Sequence, residues 1–210
     1  MRPARSLLSI LSTSLLVLSS CQSGYAEPPT GADGSRPVLA FAPDVPVSVA
    51  PFDTVHADWK QRLEELYVYV ELEGDYRGIG GALERADSAM RAQGIEPSGP
   101  PFALYYDDPA AVPVAQLRAR ACFPVAGPTT PDDPLLYDVL DGATVVYAFA
   151  SGPYPEVPRA YPGLYGYLER IGWEERPDAP IREVYLVNPA AVEDWGELVC
   201  EIQIPAQNKR

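Results

Sequence analysis

In the run Arg182-Glu183-Val184-Tyr185-Leu186-Val187 a carboxylate and a phenol stand two residues apart, so on an extended strand both leave the same face. A carboxylate beside aromatic rings suits a flat organic cation. Its charge is then paired in a low dielectric, and each ring face adds about 0.5–2 kcal/mol of cation–π attraction. With two or three rings, micromolar binding of about −8 kcal/mol is attainable. Rings are plentiful, with 13 Tyr, 3 Trp and 5 Phe, so the wall residues must be chosen by position. Tyr69 and Tyr147 hold equivalent places on two strands, Tyr105 is the counterpart of Tyr185, and Trp173 follows a helix where its counterpart is Ile95. The plainer alternative for Glu183 is a solvent-facing strand residue paired with a neighbouring Arg.

Other chemistry is poorly supplied. A single histidine, His56, excludes zinc sites built from several imidazoles and leaves one candidate base for a nucleophilic triad. It has no cysteine or acid cluster at metal spacing, so no metal site is expected and no cofactor is implied. With 16 Lys+Arg against 29 Asp+Glu, a net charge of −13, the chain lacks the clustered cations that a nucleic-acid backbone requires. Gly78-Ile79-Gly80-Gly81 has no following Lys and suits a helix start better than a phosphate loop. Asp107-Asp108 suits a turn. Cys122 and Cys200 leave two possibilities, a disulfide or two buried thiols, the second favoured.

The elements that must position Glu183 are written twice. Tyr67-Val68-Tyr69-Val70-Glu71-Leu72-Glu73-Gly74-Asp75-Tyr76 aligns with Val145 to Tyr154 at an offset of 78, which also pairs Gly94 with Gly172. Ile79, Leu83, Ala86 and Met90 align with Val157, Tyr161, Leu164 and Leu168 at the same offset, each set one apolar helix stripe; Tyr161 and Leu164 are expected in the core. Tyr105, Asp108 and Pro109 align with Tyr185, Asn188 and Pro189 at 80, and Leu117 and Pro124 with Leu198 and Pro205 at 81. Each copy reads as strand, glycine turn, helix, strand, Asp-Pro or Asn-Pro turn, strand. The expected fold is α+β: two strand-helix-strand-strand repeats, 67–125 and 145–206, forming one mostly antiparallel sheet of about six strands with two helices on one face. Pro162 predicts that the second helix starts near Ala160 or kinks. In this register Glu183 takes the position that the first copy fills with Ala103.

The N-terminus reads as an address. Arg2 and Arg5 precede an apolar run, residues 7–18, that is too short to span a bilayer, and Leu18-Ser19-Ser20-Cys21 closes it. This is the pattern of a signal peptide, 1–20, ending at a lipobox whose Cys21 is lipidated. Gln22 after the cysteine favours the outer membrane, and a periplasmic face of the cell envelope is expected. Loss of Arg2 and Arg5 leaves 14 basic and 29 acidic side chains, a net charge of −15. Residues 21–56 read as a flexible Pro/Gly/Ala-rich tether, with Val38–Phe41 as a candidate edge strand, and the folded domain as 57–206. Residues 57–66 suggest a short helix or the lead-in to the first strand.

Gly74-Asp75-Tyr76, Gly152-Pro153-Tyr154, Phe102-Ala103-Leu104-Tyr105-Tyr106-Asp107-Asp108-Pro109, Arg182 to Pro189 and Glu201-Ile202-Gln203-Ile204-Pro205 together resemble the GyrI-like small-molecule-binding domain. The same domain is the effector-binding part of some AraC-type and MerR-type regulators. The resemblance implies a cleft between the two repeats in which a central Glu, here Glu183, meets cationic or polar ligands, with Tyr105 approaching from the other half. An export signal where regulators carry a helix-turn-helix points to an envelope-anchored protein that captures amphipathic, cationic organic molecules in the cleft between the repeats and binds no nucleic acid. Some relatives without a DNA-binding part resemble hydrolases of reactive cyclopropane-type compounds. In that alternative, Glu183 orients water or acts as general base with Tyr105 or Tyr185. A haem carrier on a similar fold is disfavoured because the expected cleft offers no His or Met. The sequence leaves the oligomeric state open.

Overall fold

The computed structural model describes residues 42–209. In chain order the strands are β1 (Ser48–Val49), β2 (Ala57–Arg62), β3 (Glu65–Glu73), β4 (Phe102–Tyr105), β5 (Arg118–Pro124), β6 (Leu136–Leu140), β7 (Ala143–Ser151), β8 (Trp173–Glu175), β9 (Ile181–Tyr185) and β10 (Val199–Asn208). The helices are α1 (Ile79–Gln93) and α2 (Tyr161–Arg170). The strands join in one sheet of order β1-β7-β10-β9-β4-β5-β3-β6, with β2 also on β7 and β8 on β10. Every pairing is antiparallel except the two-residue β1 on β7, so the fold is α+β with two helices on one sheet face.

Helix α1 buries Ala82, Ala86 and Met90, one residue per turn, and ends where Gly94 takes the left-handed conformation at φ 66°. In the second copy a 3-10 segment, Tyr154–Ala160, comes first, and α2 begins at Tyr161. Pro162 therefore falls in the first turn, where a missing N–H breaks no helical hydrogen bond, and the helix starts next to Ala160 as its sequence predicts. Leu164 and Leu168 turn inward from α2.

The repeats meet at β4 and β9, which run antiparallel at the middle of the sheet with Ala103 directly opposite Glu183. The two copies are thus related by a pseudo-twofold axis that passes between these residues, each being the other's equivalent. Outward from the axis, β5 and β3 on one side match β10 and β7 on the other.

Three segments depart from expectation. Residues 57–62, expected as a short helix or the lead-in to the first strand, form a strand of their own, β2, because they pair along β7. The stretch assigned to the tether is packed from Ser48 onward: β1 adds to β7 and Phe52 is buried. The connector between repeats contains β6, which pairs with β3. The leader, Cys21 and Val38–Phe41 lie outside the described residues.

The pairings of β2 with β7 and of β3 with β6 share one register, so residues 57–69 run beside 136–148 as a single ribbon bent at 63–64 and 141–142. At the bend a Cβ on Gly142 would sit 3.1 Å from the carbonyl oxygen of Arg62, a tight contact that glycine avoids. This ribbon joins the two ends of the sheet order and gives the sheet an inner face turned away from the helices. That face carries ion pairs over aromatic rings: Lys60 with Glu201 at 2.7 Å, Arg120 with Asp138 at 2.7 Å, and Arg182 with Glu65. The Arg120 guanidinium lies 4.1 Å above the Tyr69 ring and that of Arg182 4.0 Å above Phe102.

Candidate functional site

One row of directly opposed residues crosses six strands on the helix-facing side: Ala148, Ile202, Glu183, Ala103, Ala121 and Val70. Five are apolar and buried. Glu183, 6% exposed, is the sixth, a carboxyl group set in the apolar layer between sheet and helices.

Three phenols surround it. Tyr161, from the first turn of α2, donates to Oε1 at 2.7 Å. Tyr185, two residues along β9, lies 3.1 Å from Oε2, and Tyr105, from β4 across the axis, lies 3.2 Å from the same oxygen. The Tyr105 and Tyr185 hydroxyls are 3.0 Å apart. Each of these two rings is braced by a tyrosine from its own repeat. Tyr76 stacks on Tyr105 with centroids 4.8 Å apart, and Tyr154 on Tyr185 at 4.9 Å, both tilted by about 60°. The braces are fixed in turn: Tyr76 donates to the carbonyl of Asp107 at 2.9 Å, and Tyr154 to that of Val187.

The twofold relation covers the braces and the pair Tyr105/Tyr185, and it fails at two positions. Glu183 stands where the first repeat has Ala103, and Tyr161 where it has Leu83. The two exceptions are joined to each other by the shortest hydrogen bond to the carboxyl group. Burial pushes the Glu183 carboxyl above its ordinary range, opposed by the three phenol hydrogen bonds, and no cationic side chain offsets it. Burial also pushes Tyr105, Tyr161 and Tyr185 well up, so all three phenols are protonated at neutral pH.

The structure therefore gathers Glu183, Tyr185 and Tyr105, and it adds Tyr161, which the stripe pattern assigns to the core. The available signal was the replacement of Leu83 by tyrosine in the second copy. Tyr69 and Tyr147 are corrected: they project from the opposite sheet face. Tyr147 is one residue from Ala148 in the Glu183 row and so points the other way, under Lys60 at 4.2 Å, while Tyr69 lies under Arg120. Trp173 is also elsewhere, stacked on Trp59 at 5.5 Å and lining, with Tyr165, Glu169 and Lys209, a surface hollow of about 300 Å³ beside β8. Cys122 and Cys200 are buried free thiols on opposite faces of the sheet. Among the described residues no group of His, Cys, Asp and Glu is arranged to hold a metal ion.

The GyrI-like small molecule binding domain matches residues 62–207. The chain belongs to that family. The GyrI-like fold is shared with the EcmrR C-terminal domain, which is 21% identical with a TM-score of 0.65 over 74% of this chain and 99% of that one. In the EcmrR–DNA complex this chain spans 57% of the EcmrR chain, at 21% identity and a TM-score of 0.64 over 73% of this chain. SAV2435 bound to tetraphenylphosphonium is 15% identical, with a TM-score of 0.52 over 72% of this chain and 93% of that one. A hydrolase from Listeria innocua is 12% identical, with a TM-score of 0.52 over 72% and 91%. No curated protein sequence matches significantly. What the GyrI-like membership adds to the geometry is the general role, small-molecule binding.

Proposed function

We propose that this GyrI-like domain captures lipophilic organic monocations between α1 and α2, with Glu183 as counter-ion and the rings of Tyr105, Tyr161 and Tyr185 as walls. The observation that carries this reading is a buried carboxyl group with three phenols and no cation of its own. A charge left unpaired in such a layer is costly, and an incoming cation removes the cost while the rings replace its hydration. The tetraphenylphosphonium found on SAV2435, a lipophilic monocation held on the same fold, supports the same ligand class.

The carboxyl group is covered as it stands, since Glu183 is only 6% exposed. Admission of a ligand requires α2 to swing away from the sheet and take Tyr161 with it. A 3-10 stretch with Pro158 precedes α2, and Gly163 and Gly166 lie within it. We further propose that lipidation of Cys21 holds the domain at the cell envelope, where amphipathic cations concentrate. Replacing Cys21 by Ser is then expected to shift the protein from the membrane to the soluble fraction.

The test is calorimetric titration with tetraphenylphosphonium. Saturable one-to-one binding is expected in the wild type and a loss of at least tenfold in affinity in Glu183→Gln, which preserves shape but cannot carry the charge. Equal affinities would assign the binding to the net surface charge and sink the site. Chemical turnover of an electrophilic probe, abolished by the same substitution, would instead favour the hydrolytic reading that the Listeria innocua relative brings to mind.

A further inference from the structure

We infer that the empty site already has an occupant, a proton on Glu183, and that a lipophilic monocation enters by one-for-one exchange with it. The inference rests on the proposed cation site and adds its stoichiometry and selectivity.

It follows from counting hydrogens. Glu183 Oε2, the Tyr105 hydroxyl and the Tyr185 hydroxyl form a triangle with sides of 3.0, 3.1 and 3.2 Å. Each side is within hydrogen-bond distance, and a hydrogen between the two oxygens makes the contact favourable. Tyr161 cannot contribute, since its proton lies on the bond to Oε1. Tyr105 and Tyr185 bring one hydrogen each. With an ionised Glu183, two hydrogens serve three contacts, and one pair of oxygens faces lone pair to lone pair beside a buried carboxyl group. A proton on Oε2 supplies the third hydrogen: Glu183 then donates to one phenol, that phenol to the other, and the second phenol back to Oε2. Every side of the triangle is filled only in this neutral form.

The surroundings agree from every side. α2 contributes the neutral Tyr161, β4 contributes Tyr105, and β10 contributes Cys200, a buried thiol opposite Tyr185 whose own ionisation is strongly disfavoured. Behind the cage stand Tyr76 and Tyr154, and α1 presents Ile79 and Leu83 to this layer. Arg182, the neighbour of Glu183 in β9, projects from the other face and is committed to Glu65. Burial without a cation acts in the same direction on the carboxyl group.

The exchange balances. The Glu183 O–H bond breaks, its electron pair stays on the carboxylate, the proton leaves to solvent, and the cation takes its place. The site is neutral before and after. A monocation is therefore matched, a dication leaves one buried positive charge unpaired, and a neutral analogue of the same shape binds over the intact carboxyl group without releasing a proton. Below the carboxyl pKa of the empty site, affinity for a monocation rises about tenfold per pH unit; above it, affinity is constant.

Two measurements on the full domain test this. Infrared difference spectra of ligand-free wild type against Glu183→Gln at neutral pH are expected to contain a protonated-carboxyl C=O stretch that shifts in D2O; carboxylate stretches alone would overturn the inference. Calorimetry with tetraphenylphosphonium in buffers of different ionisation enthalpy is expected to return one proton released per cation bound. Binding without proton release would also overturn the inference and leave the cation site standing. A clear carboxyl band in a protein that binds no tetraphenylphosphonium would retain the resident proton and remove the function proposed for it.

Discussion

Replacing Glu183 by Gln and by Ala should differ sharply in cost to stability. In Glu183→Gln the side-chain carbonyl still accepts from Tyr161 and the amide donates to one phenol of the triangle, so the cost is within about 1 kcal/mol. In Glu183→Ala, Tyr105 and Tyr185 can still bond each other across 3.0 Å, but Tyr161 and one hydroxyl of the pair lose their partner. Two buried hydroxyls left unsatisfied at about 1–3 kcal/mol each, with the emptied volume added, give a loss of about 3–6 kcal/mol. The pH dependence follows from the raised carboxyl pKa. Above the ordinary value near 4.5 the unfolded chain has released the Glu183 proton and the folded one has kept it, so the folded state binds more protons and stability falls as pH rises. The slope is about 1.4 kcal/mol per pH unit from the unfolded-state pKa up to the folded-state value, and it is zero beyond. Glu183→Gln has no such proton, so its stability relative to wild type should climb through that window. Urea unfolding at several pH values between 4 and 8 reads both effects. Parallel wild-type and Gln profiles, or an Ala variant as stable as Gln, would refute the account of a neutral, triply hydrogen-bonded carboxyl.

Tyr161→Phe keeps the ring and deletes the bond that ties α2 to Glu183 Oε1; if closure depends on that bond, the open form gains about 0.5–1.5 kcal/mol and tetraphenylphosphonium should bind up to about tenfold more tightly by titration. Gly163→Ala would place a Cβ 2.4 Å from that of Val55, an overlap that must displace α2 or the loop before β2. A loss of about 1–3 kcal/mol in thermal unfolding is expected, largely recovered when Val55→Ala is added. Gly94→Ala, at φ 66°, should cost about 1 kcal/mol with no change in ligand affinity, since it caps α1 far from the triangle. Cys122 and Cys200, on opposite sheet faces with ionisation suppressed by burial, should resist thiol reagents in the native state. After denaturation both should titrate as free thiols without reductant.

The repeat made the fold legible. The fixed offsets from Tyr67 to Pro205 gave two equivalent units, and the apolar stripes from Ile79 and Val157 located both helices. Elements outside the duplicated pattern were harder to see. β2 and β6 have short, mixed sequences, and what makes them strands is the ribbon they form with segments 67 to 91 residues away. The site was legible in part for a similar reason. Comparison of the copies isolated Glu183, and the i, i+2 relation joined it to Tyr185, because both are local facts. Which face Tyr69 and Tyr147 take depends on a one-residue step relative to Ala148 and Val70, and that step is fixed by cross-strand register, which no single strand encodes. Tyr161 was hidden by its own pattern, because a tyrosine on an apolar stripe fills space with its ring and does chemistry with its hydroxyl.

A residue on a dyad meets its own copy. Were the two halves separate identical subunits, an acid at this position would confront a second acid directly across the central pair of strands, with no room for a lone guest charge between them. Joining the halves in one polypeptide lets one side mutate without the other, and Ala103 leaves the single carboxyl group unopposed. Covalent fusion is thus what allows a molecule of near-twofold form to present one charge, rather than two or none, on its axis.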